Sequence, residues 1–271
     1  MNYHSDEWVM EKVKEHYQDA LLLFPENRIV GIFVQGSTNY GLDTESSDVD
    51  TKLIVTPSFE DLAMNEKPVS ATHVRTNNEH IDFKDIRLYI DCFRSQNLNF
   101  LEILFTDYFI VNPLYADSWN ILVSHREEIA HMNPHRSMQS MAGMCAEKNH
   151  ALQHPYPAKL EILEKHGYDG KQLSHQERVR HAMIKYAAGD SYWSCVHEPF
   201  EPEYLKMMKR HGLKVEEAVA LSKWSLKQSK AFKDKFCEEH PKEENEETLK
   251  LLKEVQYQIM ETSVREELPY V

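Results

Sequence analysis

This chain has little glycine, little cysteine and no long apolar run, and each shortage excludes something. Only 8 of 271 residues are glycine, so a Gly-rich repeat or a collagen-like architecture is ruled out. The 4 cysteines, Cys92, Cys145, Cys195 and Cys237, stand far apart with no paired spacing. That pattern suits reduced thiols and a cytoplasmic location rather than a disulfide framework. No apolar stretch approaches the ~20 residues a membrane span needs, and the first eight residues, MNYHSDEW, are too polar and acidic for a signal peptide. Excess positive charge is also missing: the formal net charge is −13. Without a basic stripe to neutralise phosphates, a long nucleic-acid duplex is not an expected partner.

The few glycines are not spread evenly. Gly31, Gly36 and Gly41 fall within eleven residues, so the backbone there must approach something closely. Residues 28–35 (RIVGIFVQ) are rich in Ile, Val and Phe and read as a buried strand ending at Gly36-Ser37. A strand that stops at Gly-Ser and turns into a short helix leaves free N–H groups and a hydroxyl, which bind anions well. The next strand, 48–55 (DVDTKLIV), opens with Asp48 and Asp50, and side chains two apart on a strand share a face. Two neighbouring ionised carboxylates repel unless a cation or a shared proton lies between them. Mg²⁺ answers that need, because it favours one or two carboxylates plus phosphate oxygens and water, and two ions can clamp both oxygens of an in-line displacement. In residues 80–84 (HIDFK), Ile81 and Phe83 alternate with Asp82 on the opposite face. Asp82 is the candidate third carboxylate and base toward an incoming hydroxyl, with Asp85 its rival.

Gly36-Ser37, Gly41, Ser47-Asp48 and Asp50 together resemble the signature of the DNA polymerase β superfamily of nucleotidyltransferases. The likeness narrows to the RlaP type, the RNA-repair-pathway polymerase-β-like group. Residues 85–105, with Asn97, Leu101, Glu102 and Leu104, are similar to its helix and Asn-Pro-x-x-Leu-Glu-x-Leu segment, although Leu98 replaces the proline. Tyr168-Asp169, Lys171, His175 and Arg178 resemble its Tyr-Asp-x-Lys-x-x-x-His-x-x-Arg element. The resemblance spans about residues 28–189. It implies that Gly36 and Ser37 hold the terminal phosphates of a nucleoside triphosphate. It further implies that Asp48, Asp50 and Asp82 hold two Mg²⁺ ions, with Mn²⁺ as a substitute, and that pyrophosphate leaves as the α-phosphorus is attacked.

Lys171, His175 and Arg178 form a candidate cationic patch for phosphate. Ser174 followed by Glu177 matches a capping box, so the helix is expected over 174–189 with Lys171 in the loop before it. His175 and Arg178 then share a face. The equally simple reading is a surface helix with ordinary basic residues. Tyr40 either stacks on a base or packs beneath its turn, and Tyr192 and Trp193 read as core anchors. His131/His135 and His150/His154 have helical ligand spacing but no acidic or Cys partner at zinc-site spacing.

The fold class expected is α+β: a mixed polymerase-β-like sheet with flanking helices, then a mostly helical C-terminal domain. The boundary falls softly near Asn112-Pro113, giving a catalytic domain over 1–112 and a helical domain over 113–271. A first helix is expected over 5–24 and a further strand near 72–75 inside the polar stretch 57–78. Helices follow at 86–96, 98–105, 117–130, 136–152, 157–166, 174–189, 202–211, 214–237 and 242–265. The acidic run 238–247, with Pro241 suited to a helix start, reads as a solvated helix entry. The function expected is transfer of a nucleoside monophosphate from an NTP, ATP by default, to an acceptor hydroxyl or phosphate. The acceptor is left open among an RNA or tRNA end, a protein and a small molecule. The alternative is a nucleotide-binding regulator without turnover.

Overall fold

The computed structural model describes residues 2–268 and shows an α+β protein. Helix α1 (Asp6–Leu23) starts where Ser5 accepts a hydrogen bond from the Trp8 N–H, with Asp6 and Glu7 in its first turn. It buries Val9, Val13, His16 and Ala20 against a five-stranded sheet. The strands are β1 (Ile29–Gln35), β2 (Asp50–Val55), β3 (Ser70–Val74), β4 (His80–Asp85) and β5 (Phe109–Val111), in the order β3-β4-β2-β1-β5. β2 pairs parallel with β4, and the other pairings are antiparallel.

Period-two alternation sends side chains to two cores. Ile32, Val34, Leu53, Val55 and Ile81 meet α1. Val30, Phe33 and Ile54 face the helices that follow. The helices after α1 are α2 (Phe59–Ala63), α3 (Ile86–Arg94), α4 (Leu98–Leu101), α5 (Ala116–Ser124), α6 (Arg126–Ala130), α7 (Pro134–Ala151) and α8 (Leu160–His166). The remainder are α9 (Gly170–Ala188), α10 (Tyr192–His197), α11 (Pro202–Lys209), α12 (Val215–Glu239) and α13 (Glu246–Glu267). α7, α9 and α12 pack on one another, and α13 returns to the sheet side against α3 and α5. Its anchors are Arg94 to Glu244 at 3.0 Å just ahead of it, Ser263 to Thr56 at 2.6 Å, and the Phe59 N–H to Glu267 at 2.8 Å. One apolar core therefore runs from Val30 through Met141 to Ile259, across residue 112.

Several boundaries differ from the sequence expectation. β2 begins at Asp50, so Asp48 lies in the connection just ahead of the strand. α9 begins at Gly170, because Asp169 accepts from the Lys171 N–H and caps the helix a full turn before Ser174. Glu177 is not free to complete a capping box: Arg180 takes it at 2.8 Å and Ser225 hydrogen-bonds it. α13 begins four residues beyond the proline-led start, at the Asn245 cap. The expected helix 117–130 breaks at His125. β5 and α10 carried no periodic signal long enough to read.

Phe33 is fully enclosed and stacks on Trp119 with ring centroids 4.2 Å apart. Phe33→Ala should cost ~3–5 kcal/mol of stability. Urea denaturation checks this, and a loss below ~1 kcal/mol would show that the sheet does not depend on this contact.

Candidate functional site

Where β1 ends, the backbone turns sharply. Gly36 has φ +93°, a conformation that side-chain-bearing residues rarely adopt, and nothing lies within 4 Å of where its Cβ would be. The 3₁₀ turn Ser37–Tyr40 follows and closes on Gly41 at φ +67°. Asn39 braces the turn by donating to the Val34 carbonyl at 3.0 Å and accepting from Thr106 at 2.7 Å. The connection then folds back through Asp43, which accepts the N–H groups of Tyr3 and His4, and delivers Asp48 and Asp50.

These elements line one cavity of about 240 Å³ together with residues of the C-terminal half. Gly36, Ser37, Asp48, Asp50, Lys171, His175 and Arg178 all stand on its wall. The turn, the carboxylate pair and the cationic trio, separated by up to 142 positions in the chain (Gly36 to Arg178), are thus brought together. Asp82 is not on that wall. In the β2–β4 register it lies beside Lys52, to which it is ion-paired at 3.4 Å, and it also accepts from Thr72. The residue next to Asp50 is His80, whose backbone N–H donates to the Asp50 carboxylate at 2.9 Å. Among the described residues, no three His, Cys, Asp or Glu side chains converge as a metal-binding group.

Electrostatics separate the groups of the cavity. Burial raises the Asp50 carboxyl above the ordinary aspartate range and Asp48 pushes it further, while His80 and Lys171 oppose the rise. His175 is driven well below the usual histidine range by burial and by Arg178, Lys148 and Lys171, so a neutral ring accepts from Arg178 at 3.3 Å. The Arg178 guanidinium lies 3.9 Å from the Tyr40 ring centroid, within cation–π range, and burial pushes the Tyr40 phenol to about 12. Tyr40 thus supports an arginine beneath the turn.

No local pattern singles out Lys209 at the end of α11. Its ammonium donates to Leu42 O at 3.0 Å, Ser47 Oγ at 3.1 Å and Ser37 Oγ at 3.3 Å. Burial, with Lys171 second, lowers its pKa to about 8. Glu102 is a lone acid within the apolar run Leu101-Glu102-Ile103-Leu104-Phe105, a local signal that it is buried for a reason. It is 3% exposed and accepts the Gly36 N–H at 3.1 Å. Asn99 completes this side of the wall. Elsewhere, Tyr192 is buried as expected, whereas Trp193 is 37% exposed and stacks on His197.

Among solved structures, a nucleotidyltransferase-like protein from Exiguobacterium sibiricum 255-15 is similar over 96% of this chain and 78% of its own, at 11% identity and a TM-score of 0.29. No family model matches the chain, and no curated protein matches it.

Histidine burial sets a pH dependence. His16 and His175 have folded-state pKa values below the unfolded value, each with burial as the first cause. Their contribution is complete above the unfolded value, ~6.5, and is lost as pH falls toward the folded values, because the unfolded chain takes up protons first. The melting temperature should therefore drop between pH 7 and pH ~5.5, and His175→Asn should flatten the slope. A melting temperature constant over that window would contradict the assignment.

Proposed function

We propose that the chain is a metal-dependent nucleotidyltransferase built on the polymerase β plan, of the RlaP type. It moves a nucleoside monophosphate from an NTP to an acceptor and releases pyrophosphate. The observation that carries this reading is the meeting of the Gly36-Ser37 turn, Asp48, Asp50, Lys171, Arg178 and Lys209 on one cavity wall. Such a set suits a triphosphate and its cation. The raised Asp50 carboxyl with Asp48 beside it is the pattern of a carboxylate pair that a cation relieves. Two carboxylates suffice for Mg²⁺ when the remaining ligands are phosphate oxygens and water. When bound, Mg²⁺ or Mn²⁺ supplies charge neutralisation at the α-phosphorus and the leaving oxygen.

The chain's own groups then divide the work. The Ser37 hydroxyl and the N–H groups of its turn seat terminal phosphate oxygens, with Gly36 allowing the close approach. Lys209 now gives its hydrogen bonds to Ser37, Ser47 and a carbonyl. A phosphate oxygen is a stronger acceptor than any of these. Lys171 in the first turn of α9 and Arg178 two turns on extend the cationic wall, the arginine held in aim by Tyr40 and neutral His175. Catalysis in this scheme is positioning plus charge stabilisation. A cytoplasmic role on RNA ends agrees with the sequence resemblance, and ATP is the default donor.

Purified protein with each α-³²P-labelled NTP, Mg²⁺, total RNA and soluble protein should transfer label. Asp48→Asn and Asp50→Asn should abolish transfer with an unchanged or higher melting temperature, since one repelling charge is removed. Full transfer by both variants would end the metal proposal. Label in neither pool, with NTP still bound, would favour a small-molecule acceptor or the regulatory alternative. Lys209→Ala should raise the KM for NTP roughly 10- to 100-fold, the loss of one charge-assisted contact. An unchanged KM would return Lys209 to a purely structural tie.

A further inference from the structure

Two buried groups of opposite charge on the cavity wall each keep one atom without a partner. Glu102, 3% exposed, gives one carboxylate oxygen to the Gly36 N–H and leaves Oε2 with no hydrogen bond. Arg178, 2% exposed, donates Nη2 to His175 and leaves Nη1 with no acceptor. They come from opposite halves of the chain, attract each other through space and do not hydrogen-bond each other. A buried unmet donor or acceptor costs ~1–3 kcal/mol. One of each sign on the wall of a ligand cavity marks a seat for a group that donates to the first and accepts from the second.

Chemistry narrows that group. A neutral hydroxyl does both with one oxygen. An ionised phosphate satisfies Arg178 but sets its charge against Glu102, and an ammonium satisfies Glu102 but opposes Arg178. Resting on the nucleotidyltransferase reading, we propose that Glu102 is the proton acceptor of the transfer and that the attacking group is an alcohol hydroxyl seated between Glu102 Oε2 and Arg178 Nη1. The hydroxyl oxygen forms a bond to the α-phosphorus and its proton passes to Glu102. The bond from the α-phosphorus to the bridging oxygen breaks, and pyrophosphate departs with the electron pair. Glu102 later returns the proton to solvent.

The surroundings of Glu102 suit the task. Burial raises its carboxyl above the ordinary glutamate range, while Arg178 of α9, Lys52 of β2 and the Gly36 N–H favour the ionised form. The phenols of Tyr40 and Tyr192 also feel its charge, and both are themselves held un-ionised. Asp82, the residue the sequence suggested for this role, is spent on Lys52 and Thr72 away from the wall.

Glu102→Gln is the test, because the amide oxygen can still accept the Gly36 N–H. In single-turnover assays with α-³²P-NTP, Mg²⁺ and the RNA and protein pools, its transfer rate should fall ~10²- to 10⁴-fold. Equilibrium dialysis with ATP should show unchanged or tighter binding, and the melting temperature should stay near wild type. Glu102→Asp, which keeps the acid, should recover part of the rate, and Asp82→Asn should lose less than Glu102→Gln. Wild-type product should hold its label in a phosphodiester, resistant to an enzyme that cleaves pyrophosphate bonds. Transfer by Glu102→Gln at the wild-type rate, loss of ATP binding together with stability, or label in a pyrophosphate linkage would each overturn the proposal. Wild-type protein that labels neither these pools nor an added pool of small-molecule alcohols would overturn the transferase reading and this one with it. Wild-type transfer with an unaffected Glu102→Gln would overturn this one alone.

Discussion

The parallel pairing of β2 with β4 is the constraint on which the site depends, because it decides what stands beside Asp50. A buried histidine pins that pairing from the far side of the sheet. His16 of α1 reaches Thr51 at 2.8 Å and Glu79 at 3.1 Å, the residues that directly adjoin Asp50 and His80. Glu79 is in turn held by Arg75 at 2.6 Å, and Arg75 by Asp19 of α1 at 2.6 Å. Thr51 and Glu79 are therefore locked to one helix, and the His80 N–H is delivered to the Asp50 carboxylate. Slipping the register by one residue would turn Asp50 toward α1 and its apolar core. His16 and Glu79 are buried while Arg75 and Asp19 are partly exposed, so the value of the network is specificity of register more than gross stability.

A second constraint is charge. The chain is acidic overall, and the cavity adds an exposed Asp48 together with Asp50 and Glu102, both of which are desolvated. The cations that answer them, Lys171, Arg178 and Lys209, all come from α9 and α11 in the C-terminal half. Neither half builds a balanced cavity alone: the sheet with its turn and the end of α4 supply the acids, and α9 and α11 supply the cations. The shared core and the return of α13 to α3 and α5 hold the two halves in that relation. The depressed ammonium of Lys209 and the raised carboxyl of Asp50 are two sides of one desolvation, which an incoming anion and cation together would offset.

Local signals carried β1 to β4, most helices and the Gly36-Ser37 turn, because hydrophobic period and glycine conformation are set within a few residues. They failed where a distant partner outcompeted a neighbour. Ser174 and Glu177 have capping spacing, yet Asp169 capped the helix first and Arg180 and Ser225 claimed the glutamate. β5 has three residues and exists because β1 offers it an edge, a fact no window of that length contains. Lys209 lies 172 positions from Ser37, and nothing around it distinguishes it from the other lysines of the helical half.

Asp82 shows the same limit at the finest scale. Alternation correctly placed it on the face of Asp50, since His80, Asp82 and Lys84 share one side of β4 and Ile81 the other. Alternation does not fix the offset between two strands. With Thr51 opposite Ile81, Asp82 stands two residues beyond the position beside Asp50 and meets Lys52, whose buried ammonium needs a carboxylate there more than the cavity does. Lys52 also lies 4.5 Å from the Phe100 ring centroid, and Lys84 crowds the same ring at 5.6 Å. Of these two cations Lys52 takes Asp82 as its ion pair, while Lys84 donates to Ser70. The carboxylate free to serve the cavity is then the one brought by the helix side, Glu102. It stands on the wall because the Gly36 N–H, orphaned by the turn that follows β1, requires an acceptor.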